Sequence, residues 1–474
     1  MTMLSLYMLR RSLCILILPL IIVTALIITQ AGLHHSIPVP FQGAKEPTPT
    51  VKPSPLHKPI CTAAPTPVVD AFPLAASAKS PADLPPIPSW NIPPTPHVNE
   101  STPLFIGFTR NWPLLQQTVV SYITAGWPPE DIYVVENTGV MHSNRHNLLT
   151  LQNPFYIDHH RLIKVLGVNV ISTPTLFTFA QLQNFYTFTA LENKWSHYWW
   201  AHMDTVVLSD EEWIGEPYKS LYMRAVDALR ETLDPAWGPL ATRWFAYDKL
   251  ALVRTQAFVD IGGWDTMIPF YMTDCDMHER LWMRKFRIEG AEAGRVWDVQ
   301  TSLDNLELLY KRGGDAPKAT AKRETATEIL PRGSEVQRNS ADYQKLVNSL
   351  NALQDLKSAA VGGRNTWQAR QRGGQGEPFY RDPEGFEKGI WMWMDFGRDV
   401  YTEKWGRGPC DLREAGLVEE DAWRLVKDWE NPDVQKHFRL DRENEAKEQV
   451  IKEKAEEKEK ESAREMRAKE KPSA

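Results

Sequence analysis

The sequence predicts an α/β fold in which a mixed, mostly parallel sheet is flanked by helices. Two observations predict it. Short apolar runs alternate with segments of helical length from residue 104 to residue 208, and short polar clusters stand where those runs end. Leu104–Phe108 reads as a strand, Pro113–Ala125 as a helix, Asp131–Val135 and Val168–Ser172 as strands, and Leu176–Glu192 as a helix. His197–Leu208 reads as a strand pair ending at Asp210 and Glu211. Such alternation builds βαβ units, which need cover on both faces of the sheet.

The residues before this region belong to other physical classes. Residues 1–11 form a short tail with Arg10 and Arg11 at its end, and residues 12–32 contain the uncharged run Ser12 to Thr29, about the length that crosses a bilayer. Basic residues on its N-terminal side favour a cytosolic N-terminus, which makes the chain a single-pass type II membrane protein with the remainder lumenal. A cleaved signal peptide is the alternative, with Thr29-Gln30-Ala31 as its cleavage site. Residues 33–100 are crowded with prolines and poor in apolar periodicity, as expected of a disordered, extended stem. Asn99-Glu100-Ser101 at its end is an N-glycosylation sequon.

A net charge of −6 argues against a nucleic-acid partner, since phosphate-backbone affinity rests on concentrated Lys and Arg. Four cysteines are too few for a disulfide scaffold; Cys275 and Cys410 either pair in an oxidising lumen or remain thiols. Residues 441–474 mix both signs of charge and read as a solvated helix or disorder.

Ligands of open α/β sheets gather beyond the carboxyl ends of the strands. Those ends carry Thr109-Arg110-Asn111 and Glu136-Asn137-Thr138, donors and acceptors suited to a base and ribose, or simply turn residues. In Tyr198–Leu208, His202 and Asp204 are two apart and share a side if the strand stays extended. An aspartate among aromatic and aliphatic residues must be paired, hydrogen-bonded to backbone or bound to a cation. Further on, Phe258–Leu281 sets the turn Gly262-Gly263-Trp264-Asp265 ahead of Thr273-Asp274-Cys275-Asp276 and a helix-like Met277–Leu281. Gly294–Val299 is another strand, carrying Asp298.

In order and spacing these segments resemble galactosyltransferase-like type II Golgi enzymes of the GT-A fold, Rossmann-like glycosyltransferases, over Leu104 to Leu303. The resemblance implies a nucleotide-sugar donor bound through Thr109, Arg110, Glu136, Asn137, His202 and Asp204. His202-Met203-Asp204 stands where the family has Asp-x-Asp, with His202 replacing the first acid. Asp204 is then a ligand of Mn²⁺ or Mg²⁺, His202 a further ligand or a nucleotide contact, and Asp298 a ligand where relatives place a late histidine, or a solvent-facing residue.

On the acceptor side the resemblance places Gly263, Trp264, Asp265 and Thr273, the last where relatives have glutamate. Asp274 is the general base if the reaction inverts the anomeric centre, and Asp276 orients the acceptor or the helix start. His278 reads as packing or surface.

The catalytic core is expected over 101–310, with a polar insertion and short helix at 311–375 and the end of the catalytic domain at 376–440. Trp391–Met394 and Tyr401–Gly406 restore aromatic content, as core or as an acceptor groove; the latter is similar to a closing Tyr-x-x-Lys-Trp-Gly segment of some glycosyltransferases.

The expected function is metal-dependent transfer of a sugar, a hexose by resemblance, from a nucleotide sugar to a glycan or glycoprotein acceptor at the Golgi membrane. Because His202 and Thr273 depart from the pattern, a non-catalytic carbohydrate-binding or assembly subunit is the alternative. A lumenal metal-dependent hydrolase needs a denser set of His and Asp ligands.

Overall fold

The structure is a computed structural model that describes residues 66–214, 217–235, 238–310, 338–359 and 371–430. These fall within one compact unit beginning at Thr62. The apolar run Ser12–Thr29 and the charged residues 441–474 lie outside the described residues. Among those described, no helix is long and apolar enough to cross a membrane.

Seven strands form the main sheet: β1 (Leu104–Phe108), β2 (Ile132–Glu136), β3 (Asn169–Ser172), β4 (His197–Ala201), β6 (Leu240–Phe245), β7 (Leu250–Arg254) and β8 (Arg287–Gly290). Their order is β3-β2-β1-β4-β7-β6-β8. The β3-β2-β1-β4 half is parallel, β7 runs antiparallel to both β4 and β6, and β8 is parallel to β6. A separate ribbon pairs β5 (Thr205–Leu208) with β9 (Arg295–Asp298), setting Thr205 opposite Asp298.

Strand β1 is apolar on both faces because both are covered. Leu104, Ile106 and Phe108 join one core with α1 (Trp112–Thr124) and α3 (Leu221–Leu233), while Phe105 joins the other with α2 (Phe179–Glu192), α4 (Thr255–Asp260) and α5 (Thr273–Met283).

The chain does not stay extended through His197–Leu208. It turns at His202–Asp204, where the Thr205 amide and hydroxyl both donate to the His202 carbonyl, and so leaves the main sheet for the ribbon. The proline-rich segment also departs from expectation at its end. Ala71, Phe72 and Ala75 are buried in the core, Asn91 is buried and donates to the Thr124 carbonyl, and Asp70 pairs with Arg161 at 2.9 Å. Apolar residues between the prolines supply this packing, so the extended-stem reading fails for residues 70–91. Asn99 of the sequon is exposed.

Two late helices close the unit. Helix α6 (Ala341–Ala359) buries Tyr343, Leu346, Val347 and Leu350, a helical stripe, and lies along β9. There Asn351 accepts from the Trp297 indole and Gln354 accepts from the Asp298 amide.

Helix α7 (Pro383–Trp405) starts with Asp382 capping Gly385 and a proline in the first turn, and stops at Gly406 with φ of +64°. Tyr401 and Trp405 are fully buried beneath α5, so this segment is core. A disulfide joins Cys275 on α5 to Cys410, with Cα atoms 5.3 Å apart and 135 residues between them.

Asp276 shows why α7 is needed. Its carboxylate is fully buried and accepts from Lys404 at 2.7 Å, from the Trp405 indole at 2.9 Å and from Arg280 at 2.8 Å. Lys404 also reaches Asp265 at 2.7 Å. Removing one partner of such a cluster leaves a buried charge uncompensated. Lys404→Met is therefore expected to lower unfolding free energy by about 3–5 kcal/mol, measured by denaturant titration; a loss within ~0.5 kcal/mol contradicts this account of Asp276.

Candidate functional site

The tight turn Ala246–Lys249 between β6 and β7 organises the site. Ala246 and Tyr247 both have positive φ, 58° and 61°. Hairpins favour Gly, Asn or Asp at such positions, and holding other residues there costs of order 1–3 kcal/mol each. The turn projects Asp248 toward His202, with Oδ2 3.5 Å from Nε2, and the Tyr247 hydroxyl toward Asp274, to which it donates at 3.4 Å.

Around these groups is a cleft with room for about one water, lined by Phe179, Trp200, Trp244, Trp264, Asp248, Asp274 and His278, among others. A larger cavity of about 580 Å³ lies at the opposite end of β4, beside His197 and Arg254, away from the predicted acidic residues.

His202 sits at the carboxyl end of β4, its ring beside Trp200 and Phe179. Burial alone lowers the pKa of its imidazole. The hydrogen bond and charge of Asp248 outweigh this, with Asp204 and Asp298 adding, and hold it above the ordinary histidine value. Burial moves His278 the other way, down to about 4, so it is neutral at pH 7 against the Trp244 ring. His278 thus packs as expected, but on the wall of the cleft.

Asp204 and Asp298 do meet across the β5–β9 ribbon, with a lysine between them. Lys357, in the last turn of α6, donates to Asp204 Oδ2 at 2.7 Å and to Asp298 Oδ1 at 2.5 Å. Burial pulls the ammonium pKa down, but the two carboxylates raise it above its usual value, so it stays charged. Burial and the charge of Asp204 raise the Asp298 carboxyl.

The expected metal set of His202, Asp204 and Asp298 therefore does not fit a divalent ion in this arrangement. His202 is paired with Asp248 and the two carboxylates hold an ammonium. Among the described residues no group of three or more His, Cys, Asp or Glu is arranged to hold a metal.

The polar residues after β1 and β2 are internal. Arg110 is buried, donates to the Pro383 carbonyl and lies over the Phe386 ring; burial lowers its pKa to about 10. Asn137 bonds the Phe177 amide and carbonyl. The fully buried Glu136 accepts from Asn144, Ser172, Thr138 and His159. Thr109 is half-buried at the end of β1. Arg110, Glu136 and Asn137 thus brace loops rather than face the cleft, a correction to their donor-binding assignment that follows from their long-range partners.

On the acceptor side, Gly263 has φ of +73°, and a Cβ there would meet Asn184 Oδ1 at 2.6 Å. Asn184 bonds both the amide and carbonyl of Trp264, and Arg280 donates to the carbonyls of Ile261 and Gly263. Trp264 lines the cleft, whereas Asp265 is turned to Lys404. Thr273 is buried, with no hydrogen bond from its hydroxyl among the described residues. Of the paired acids on α5, Asp274 lines the cleft, while Asp276 is a buried ion-pair centre and not a catalytic group.

Sequence reasoning missed Trp244, Tyr247, Asp248 and Lys357. A lysine in a last helical turn ordinarily reads as a macrodipole partner, and nothing local distinguishes Lys357.

No family model matches the chain, and no curated protein matches it by sequence. Solved structures that align with it include a Pyrobaculum calidifontis mannosyltransferase in complex with GDP-mannose and Mn²⁺, at 14% identity and TM-score 0.27, covering 43% of this chain and 58% of that one. A Leptospira borgpetersenii cytidylyltransferase aligns at 9% identity and TM-score 0.27, over 41% and 76% of the two chains. The catalytic domain of Drosophila β1,4-galactosyltransferase 7 with xylobiose aligns at 15% and 0.21, over 40% and 65%. The chain spans less than two thirds of the mannosyltransferase and of this galactosyltransferase domain.

The Glu136 assignment has a pH signature. Burial raises the carboxyl, but hydrogen bonds from His159, Asn144 and Ser172 and the charge of His159 hold it below the ordinary value. Its contribution to stability is thus complete above the unfolded-state pKa and is lost as pH falls through the lower folded one. Glu136→Gln is expected to destabilise by about 1–3 kcal/mol at pH 7 and by less toward pH 3, in denaturant titrations across pH; a pH-independent difference contradicts it.

Proposed function

We propose that the chain transfers a sugar, a hexose by resemblance, from a nucleotide-activated donor to a glycan or glycoprotein acceptor. The carrying observation is one cleft in which Asp274, Asp248 and a wall of tryptophans meet beside the His202 turn. Aromatic faces suit the apolar faces of sugars, and a half-buried carboxylate among them suits proton removal from an attacking hydroxyl.

Asp274 acts as the general base for an inverting transfer, with Tyr247 orienting its carboxylate. His202, whose imidazole Asp248 holds above the ordinary histidine pKa, faces the donor's leaving diphosphate and stabilises its developing charge when protonated.

The Cys275–Cys410 disulfide suits an oxidising lumen. Together with the apolar run Ser12–Thr29 and the exposed sequon at Asn99, it supports a type II membrane protein with its catalytic part lumenal, Golgi residence following by resemblance only.

A second reading, a non-catalytic carbohydrate-binding subunit, is favoured by Lys357, which occupies the carboxylates that the resemblance assigns to the donor side. The two separate on turnover. Full chain incubated with UDP- and GDP-sugars is expected to release nucleoside diphosphate, and Asp274→Asn is expected to lower transfer by about 10²–10⁴-fold while keeping donor affinity. Turnover unchanged in that variant removes Asp274 as base; glycan binding with no donor turnover in the parent favours the second reading.

A further inference from the structure

We propose that Lys357 is the resident cation of the donor side, its ammonium standing between Asp204 and Asp298 in place of a divalent metal ion. The inference rests on the glycosyltransferase reading for its context and on the geometry of three side chains for its substance.

A cation at this position has one electrostatic task before any ligand arrives. A buried carboxylate and a partly exposed one facing each other repel, and the buried one loses most of its hydration. The side chains of Asp204 and Lys357 are 11% and 8% exposed, that of Asp298 36%, so solvent does little of the screening at the first two. The ammonium supplies the countercharge at 2.7 and 2.5 Å, the distances of charge-assisted hydrogen bonds.

The lysine is delivered by packing and not by chance contact. Tyr343, Val347, Leu350 and Lys357 recur at helical spacing on the buried side of α6. The same helix is fixed at Tyr343, which donates to the Ser209 carbonyl beyond β5, and at Asn351 and Gln354, which bond residues 297 and 298 of β9. The segment after the Asp204 turn and the strand that carries Asp298 are thus both tied to the helix that carries the lysine. A metal ion entering between Asp204 and Asp298 has to displace an ammonium held by both carboxylates. The remaining expected ligand, His202, has its Nε2 turned to Asp248 at 3.5 Å. The site accordingly excludes Mn²⁺ and Mg²⁺, and nucleotide binding proceeds without them.

The test is a Mn²⁺ titration of the purified full chain followed by electron paramagnetic resonance, with UDP and GDP binding measured by calorimetry in EDTA and in Mn²⁺. The parent chain is expected to take up no stoichiometric Mn²⁺ and to bind nucleoside diphosphate equally in both media. Lys357→Gln is expected to gain one Mn²⁺ site, lost again in Lys357→Gln with Asp204→Asn. Stoichiometric Mn²⁺ binding by the parent that Asp204→Asn abolishes overturns the proposal, and this arm does not depend on folding of the lysine variant. Nucleotide binding seen only with Mn²⁺ also overturns it while leaving the transferase reading standing. Absence of nucleotide binding in both media sinks the transferase reading instead, and the parent's Mn²⁺ titration still decides the role of Lys357.

Discussion

Two buried lysines, each held by two aspartates, determine how this molecule is arranged. Lys357 joins Asp204 to Asp298, and Lys404 joins Asp265 to Asp276. An aspartate enclosed by protein must find a positive partner or give up its charge, and an incomplete set of partners is strongly destabilising. Both lysines come from the helices α6 and α7 that follow the sheet in sequence, so the carboxylates beside the cleft are set only when the end of the chain has docked.

This division of labour separates acids that look equivalent in sequence. Asp274 and Asp276 are two residues apart on α5, about 200° around a helix, so one faces the cleft and the other the α7 interface. Lys404, Trp405 and Arg280 consume the second. Only the first remains beside Tyr247, Trp244 and His278, in surroundings that suit proton transfer. The strained Ala246–Tyr247 turn contributes to the same end by carrying Asp248 to His202.

Much of the sheet was legible because its signals are local. The runs around residues 104–108, 132–136 and 169–172, and the helices after Asn111 and Thr178, carry their periodicity within a few residues. The glycine turn at 262–263 was equally plain, since both residues have positive φ. What stayed hidden depends on contacts across the chain: the ammonium at Asp204 comes from 153 residues away, and the bonds that absorb Asn137 come from around Phe177. The break at His202–Asp204 was hidden for a related reason. An apolar run marks burial, and burial continues through Met203 while the backbone changes direction.

The central claim is that a nucleotide sugar docks over the mouth of the small cleft between the His202 turn and Asp274. The most direct measurement is a crystal structure of the full chain with a bound UDP- or GDP-sugar. It is predicted to show the diphosphate beside His202 and the sugar ring over the half-buried Trp244, facing Asp274. Density for the nucleotide in the cavity beside His197 and Arg254, with the tryptophan cleft unchanged, would contradict the account.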